Sequence, residues 1–124
     1  MSSTSQPWNN MPKLVRNKIP EILDAKGIDY VICEGAELNG LRWLGLKIIE
    51  EAREVQTALL GSDDNVEEEL ADVLELIYAI ADVEGISFGD IQKTRMHKKR
   101  QKGGFSSEIV LESIDGKDIG EGPF

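Results

Sequence analysis

Two runs of apolar residues at helical spacing, separated by a short polar turn, constrain the fold of this chain most strongly. The first run covers residues 38–60 and the second covers residues 66–84, with apolar side chains every three or four positions. These side chains form two apolar stripes, which are Leu41, Leu44, Ile48, Ala52, Val55 and Leu59 on the first helix and Val66, Leu70, Val73, Ile77 and Ala81 on the second. Gly61 and Gly85 follow the two runs and predict where they end. Because helices joined by so short a turn lie antiparallel, we predict an antiparallel helical pair at the centre of an all-α fold.

Shorter helices are predicted on either side of this pair. Pro20 suits the first turn of a helix over residues 19–26, which Gly27 would end. Ser87 can cap a further helix, which would end at the two glycines at positions 103–104. The expected architecture is therefore a helical bundle of about four helices.

The remaining segments predict a small peripheral β element and two tails. Residues 107–112 alternate polar and apolar side chains, which is typical of a strand, and residues 30–33 are a second extended candidate. Polar residues dominate positions 1–12 and predict a flexible N-terminal tail, while glycines indicate a loose tail over residues 113–124. We expect one domain over residues 13–112.

The charge of the chain disfavours several classes of partner. Aspartate and glutamate number 23 against 14 lysines and arginines, which gives a net charge of −9. Such acidity is unfavourable for a nucleic acid polymer and for an anionic membrane surface. One cysteine excludes an intrachain disulfide and a multi-cysteine zinc site, and the N-terminal residues do not resemble a signal peptide. We therefore expect a cytoplasmic protein.

The acidic residues are concentrated where the two long helices would meet. Ten of the 23 lie between Glu50 and Glu75. At 100° per residue, Glu51 and Glu54 flank one apolar stripe, and Glu69 and Asp72 flank the other. Four carboxylates brought together favour a hard cation such as Mg²⁺ or Mn²⁺, because the set has oxygen ligands and no histidine. Most acidic helical faces are simply solvated, so the pattern alone leaves both interpretations open.

Basic residues complete the pattern that a polyphosphate ligand would need. Residues 93–102 contain six lysines and arginines and no acid. The same residues would also complement the dipole of a helix end without any ligand. The candidates for binding phosphate are Arg16, Lys18, Lys47, Arg95, Lys98 and Lys102.

Several motifs, taken in order, resemble the MazG-like all-α nucleoside triphosphate pyrophosphohydrolases. Glu50-Glu51-x-x-Glu54 followed by Glu69-x-x-Asp72 resembles the E-E-x-x-E…E-x-x-D signature of that family. The opening segment resembles that of the phosphoribosyl-ATP pyrophosphohydrolase-like subgroup, except that Asn17 stands where the subgroup has Asp. A second departure is Lys102, which stands where the subgroup has Arg before Gly-Gly-Phe. The resemblance covers residues 13–112, through the segments Lys13-Leu-Val-Arg-Asn-Lys-Ile-Pro20, Lys47-Ile-Ile-Glu-Glu51, Glu84-Gly-Ile-Ser87, Lys102-Gly-Gly-Phe105 and Ile109-Val-Leu-Glu112.

This resemblance implies a MazG-like fold and a Mg²⁺-dependent hydrolase that cleaves a nucleoside triphosphate between its α and β phosphates. Removal of non-standard nucleotides is one role that such an enzyme could serve. The family pattern implies that Glu51, Glu54, Glu69 and Asp72 hold the metal, with Mn²⁺ as a possible substitute for Mg²⁺. Glu50 is then a candidate for orienting or deprotonating the attacking water, or for a further metal contact.

Family habit and small size also suggest a homodimer or homotetramer. Two alternatives remain open at this point. One is phosphoribosyl-ATP pyrophosphohydrolase activity, which shares the chemistry. The other is a non-catalytic helical module that binds a nucleotide or a protein.

Overall fold

Four helices make up the regular structure of the described residues, which are 12–34, 40–61 and 65–120 of a computed structural model. These helices are α1 (Ile19–Ala25), α2 (Gly40–Leu60), α3 (Val66–Glu84) and α4 (Phe88–Lys102). The prediction of an all-α fold with about four helices is confirmed. The chain forms two compact units, one extending to Phe88 and the other beginning at Gly89.

Proline and glycine set the helix ends where the sequence indicated. Pro20 lies in the first turn of α1, and Gly27 follows that helix with a φ of +69°. Gly85 ends α3 in the left-handed conformation, with a φ of +71°, which costs glycine little because it has no Cβ. The N–H of Ile86 then donates to the carbonyl oxygen of Ala81 at 2.9 Å, a bond that satisfies one of the free carbonyls at the helix end.

The helical pair of α2 and α3 forms the core of the first unit. The two helices pack against each other, and the short connection between them requires them to run antiparallel. Leu44 on α2 and Ala81 on α3 are buried. Leu59 and Leu70, which belong to the apolar stripes predicted from sequence, are instead 67% and 52% exposed. The contact between α2 and α3 therefore covers only part of the two apolar stripes, and apolar side chains of both helices remain exposed.

The predicted strand over residues 107–112 does not form. Glu108 has a φ of +48°, outside the extended region, and its N–H donates to the carbonyl oxygen of Phe105 at 3.0 Å in a turn. Across the described ranges, residues 30–33 included, β structure is limited to one isolated antiparallel bridge between Ile114 and Lys117. A strand needs a neighbouring strand to satisfy its backbone, and alternation of side chains supplies none.

Residues 62–64 of the predicted turn and residue 38, the predicted start of the first long helix, lie outside the described residues. Most of the predicted N-terminal tail (residues 1–11) and the end of the predicted C-terminal tail (residues 121–124) also lie outside them. The helices that are described include none with the length and apolar character needed to cross a membrane.

Candidate metal centre

Three carboxylates from two helices converge at the seam of the helical pair. Glu51 lies nine residues before the end of α2, while Glu69 and Asp72 lie three and six residues after the start of α3. Because the helices are antiparallel and joined by a short turn, residues near the end of α2 lie beside residues near the start of α3. One carboxylate oxygen from each of the three lies within 4.8 Å of the others, and all three residues are half-buried. This spacing is close enough for a single cation to be shared.

Glu69 has the most unfavourable environment of the three in the absence of a cation. Its Oε2 is enclosed and has no hydrogen-bond partner among the described residues. Loss of solvation raises the pKa of Glu69, and the charges of Glu54, Asp72, Glu51 and Glu68 raise it further. Burying a carboxylate oxygen without a hydrogen-bond donor costs free energy, so a proton or a metal ion at this oxygen would be stabilising.

The donor set fits a hard divalent cation. Carboxylate oxygens without histidine or cysteine are the ligands that suit Mg²⁺ and Mn²⁺. The enclosed Oε2 of Glu69, which has no hydrogen-bond partner among the described residues, favours a bound cation more strongly than a cluster of acidic residues alone would. Glu51, Glu69 and Asp72 are therefore the residues that would hold such an ion.

Glu54, the fourth predicted ligand, lies at the edge of this cluster. It is exposed and does not belong to the group of three. Its charge nevertheless contributes to the raised pKa of Glu69. Glu54 is thus near the site, and its role as a ligand stays a prediction.

Glu50 is held by two lysines next to the cluster. Lys47 Nζ donates to Glu50 Oε1 at 2.7 Å and lies 3.4 Å from Glu51 Oε1. Lys13 Nζ lies 3.3 Å from Glu50 Oε2. Burial alone would raise the pKa of Glu50, but the ammonium groups of Lys47 and Lys13 outweigh it and hold the pKa below its usual range.

The same contacts raise the pKa of Lys47. Burial alone would lower the pKa of Lys47, but its hydrogen bond to Glu50 and the charges of Glu50 and Glu51 raise it instead. Lys47 therefore stays a cation that neutralises part of the acidic cluster.

Arg16 reaches the cluster from the segment that precedes α1. Its Nη2 donates to Asp72 Oδ1 at 2.6 Å, across 56 positions of sequence. The structure thus places Arg16 and Lys47, two predicted phosphate-binding residues, against the carboxylates. Lys13 contacts the same region and was missed by the sequence reasoning, although it lies in the same basic motif as Arg16.

The other predicted basic residues lie on α4 or at the start of α1. Lys18 is exposed and caps the start of α1. Arg95 donates from Nε to Gln92 Oε1 at 2.7 Å within α4, and Lys98 and Lys102 are exposed on the same helix. Their roles in binding phosphate stay predictions.

Comparison with known proteins assigns the region that contains the three converging carboxylates to a family. The model of the MazG nucleotide pyrophosphohydrolase domain matches residues 41–105, just over half of the 124-residue chain. No curated protein and no solved structure gives a significant match. The matched residues include most of α2, all of α3 and α4, and the carboxylates Glu51, Glu69 and Asp72. The chain belongs to the family of MazG nucleotide pyrophosphohydrolase domains.

Proposed function

We propose that this protein is a Mg²⁺-dependent pyrophosphohydrolase that cleaves a nucleoside triphosphate between its α and β phosphates. The products would be a nucleoside monophosphate and pyrophosphate, and a non-standard nucleotide is a fitting substrate. The observation that carries the proposal is the convergence of Glu51, Glu69 and Asp72 around the unpartnered Oε2 of Glu69. Membership of the MazG family supports the reaction class.

The three carboxylates would hold the metal ion, with Glu54 at the edge of the site as a further ligand. A bound divalent ion supplies two things to this chemistry: it neutralises phosphate oxygens and it lowers the pKa of a coordinated water. Glu50 precedes the proposed ligand Glu51 by one position in the sequence and forms ion pairs with Lys47 and Lys13. From that position Glu50 would orient the attacking water; its lowered pKa makes it a weaker base for accepting the proton of that water.

The cations beside the carboxylates would bind the polyphosphate. Lys47 and Arg16 contact the cluster directly, so phosphate oxygens bound at the metal would lie within reach of their charges. Arginine can offer two parallel N–H donors to a phosphate, and lysine a compact positive charge. Lys18 is a further candidate for the same role, and Arg95, Lys98 and Lys102 on α4 are candidates for binding phosphate on the sequence pattern alone.

The test is release of pyrophosphate from a panel of nucleotides in the presence of Mg²⁺. The panel should contain the standard triphosphates, oxidised or deaminated ones, and phosphoribosyl-ATP, so that it separates hydrolysis of nucleoside triphosphates from hydrolysis of phosphoribosyl-ATP. We expect at least one nucleotide to be hydrolysed and Glu69→Gln to abolish that activity.

A matched control is available on the same helix. Glu75 is exposed on α3 and is not one of the three converging carboxylates, so Glu75→Gln makes the same chemical change outside that group and should leave activity intact. If no nucleotide is hydrolysed and no Mg²⁺ binds, the proposal is wrong and a non-catalytic binding module is the better description.

A further inference from the structure

The irregular segment before α1 is attached to the carboxylate cluster by ion pairs. Lys13 binds Glu50, and Arg16 binds Asp72. Residues 12–16 have no regular secondary structure, and the described backbone contact at Arg16 is the bond from the Ile19 N–H to its carbonyl. The position of this segment therefore depends on its side chains.

Arg16 occupies an oxygen of a carboxylate that would also bind the metal. Its Nη2 is 2.6 Å from Asp72 Oδ1, and Asp72 is one of the three residues whose oxygens converge. A divalent cation at these oxygens would repel a guanidinium held so close to them. Arg16 and the cation would therefore compete for the same negative charge.

Lys47 is in a different situation from Arg16, although it also contacts a converging carboxylate. Lys47 donates a 2.7 Å hydrogen bond to Glu50, a residue outside the three converging carboxylates, so Lys47 would keep this partner if a metal took up the charge of Glu51. Its side chain is only 20% exposed, whereas that of Arg16 is 59% exposed. Release of Arg16 into solvent is thus inexpensive, because exposed ion pairs contribute little to stability.

We propose that Arg16 is an exchangeable counter-ion, which binds Asp72 in the metal-free protein and transfers to a substrate phosphate once the carboxylates hold a divalent cation. The proposal rests on the proposed function, since it requires both the metal site and a phosphorylated ligand. The exchange would couple the two binding events: the metal frees the guanidinium, and the freed guanidinium has a phosphate to bind. Arg16 would thus bind the polyphosphate directly.

The proposal predicts effects of opposite sign in one variant. Arg16→Gln removes the competitor, so Mn²⁺ binding measured by calorimetry without nucleotide should become about two- to fivefold tighter. In saturating Mn²⁺, the same variant should bind inorganic pyrophosphate roughly tenfold more weakly, because a charge-assisted hydrogen bond is lost. A variant that merely damaged the structure would weaken both.

Lys26→Gln is the matched control. Lys26 is exposed at the end of α1, so its substitution removes one positive charge from the same unit and should change neither affinity appreciably. Unchanged or weaker Mn²⁺ binding in Arg16→Gln overturns the exchange, because an Arg16 that orients Asp72 for the metal would give that result. Equal tightening in Lys26→Gln also overturns it, since the effect would then be one of overall charge.

Proteolysis gives a second readout that needs no substrate. Trypsin must take the Arg16 guanidinium into its own pocket, so the ion pair with Asp72 should protect the bond after Arg16. We expect Mn²⁺ to accelerate cleavage there and to leave cleavage after Lys26 unchanged. Slower cleavage at Arg16 with Mn²⁺ contradicts the exchange. If the wild-type protein binds no Mn²⁺ at all, both this inference and the proposed function fail, whereas metal binding without these shifts overturns the inference alone.

Discussion

Replacing Lys47 with methionine tests how the acidic cluster is kept stable. Methionine preserves most of the apolar stem of lysine but removes the charge that contacts Glu50 at 2.7 Å and Glu51 at 3.4 Å. The two carboxylate side chains are only 16% and 14% exposed, so they would be left with less solvent than ordinary surface acids. Their mutual repulsion would then add to that from Glu69 and Asp72.

The size of the effect lies between two limits. Removing one partner of a fully buried ion pair costs about 3–5 kcal/mol, while an exposed pair contributes about 0–1 kcal/mol. Lys47 is partly exposed, and Glu50 keeps Lys13 as a second cation. We therefore expect Lys47→Met to lower the free energy of unfolding by about 1–2 kcal/mol at neutral pH. Urea titration followed by circular dichroism measures this change, with Lys26→Met as the control that should stay within about 0.5 kcal/mol of wild type.

The two pKa shifts predict how this difference in unfolding free energy changes with pH. The pKa of Glu50 is lowered in the folded protein, so its contribution is present above its unfolded pKa and is lost as the pH falls through the folded value. The pKa of Lys47 is raised, so its contribution is present below its unfolded pKa and is lost as the pH rises through the folded value. The difference in unfolding free energy between wild type and Lys47→Met should therefore be largest between the unfolded pKa values of Glu50 and Lys47, and it should shrink on acidification. A difference that is absent at neutral pH, or that grows in acid, would refute this account.

Two further predictions concern metal binding and assembly. Because the pKa of Glu69 is raised in the metal-free protein, protons should compete with Mn²⁺ for its carboxylate. The affinity for Mn²⁺ measured by calorimetry should therefore fall as the pH is lowered toward that pKa, and binding should release protons. A Mn²⁺ affinity that does not change over this pH range would contradict the prediction. Leu59, Leu60 and Leu70 are 67%, 82% and 52% exposed, so we expect the chain to self-associate as a homodimer or homotetramer through the apolar surface of α2 and α3. Sedimentation equilibrium checks this, and a monomer at all concentrations would contradict it.

The sequence predicts most of the helical framework because its signals are local. Apolar spacing indicates α2 and α3, and Gly85 ends α3 because the left-handed conformation there suits a residue without Cβ. The convergence of Glu51 with Glu69 and Asp72 follows from the same periodicity combined with a short turn.

The contacts of the N-terminal segment could not be predicted in the same way. Residues 12–16 have no regular structure, so periodicity says nothing about where Lys13 and Arg16 lie. Helical angles also give the direction of a side chain but not its depth, which is why Glu54 is exposed although it shares a face with Glu51. The strand predicted over residues 107–112 failed because side-chain alternation does not reveal whether a neighbouring strand exists to pair with it.

Binding of Mn²⁺ to the wild-type protein and to Glu69→Gln tests the central claim most directly. Calorimetry should show saturable binding to the wild type and to the Glu75→Gln control. Glu69→Gln should show little or no binding, because it replaces the carboxylate whose Oε2 is enclosed and unpartnered. Wild-type protein that binds no divalent cation, or Glu69→Gln protein that binds it as tightly as the wild type, would contradict the assignment of these carboxylates as a metal centre.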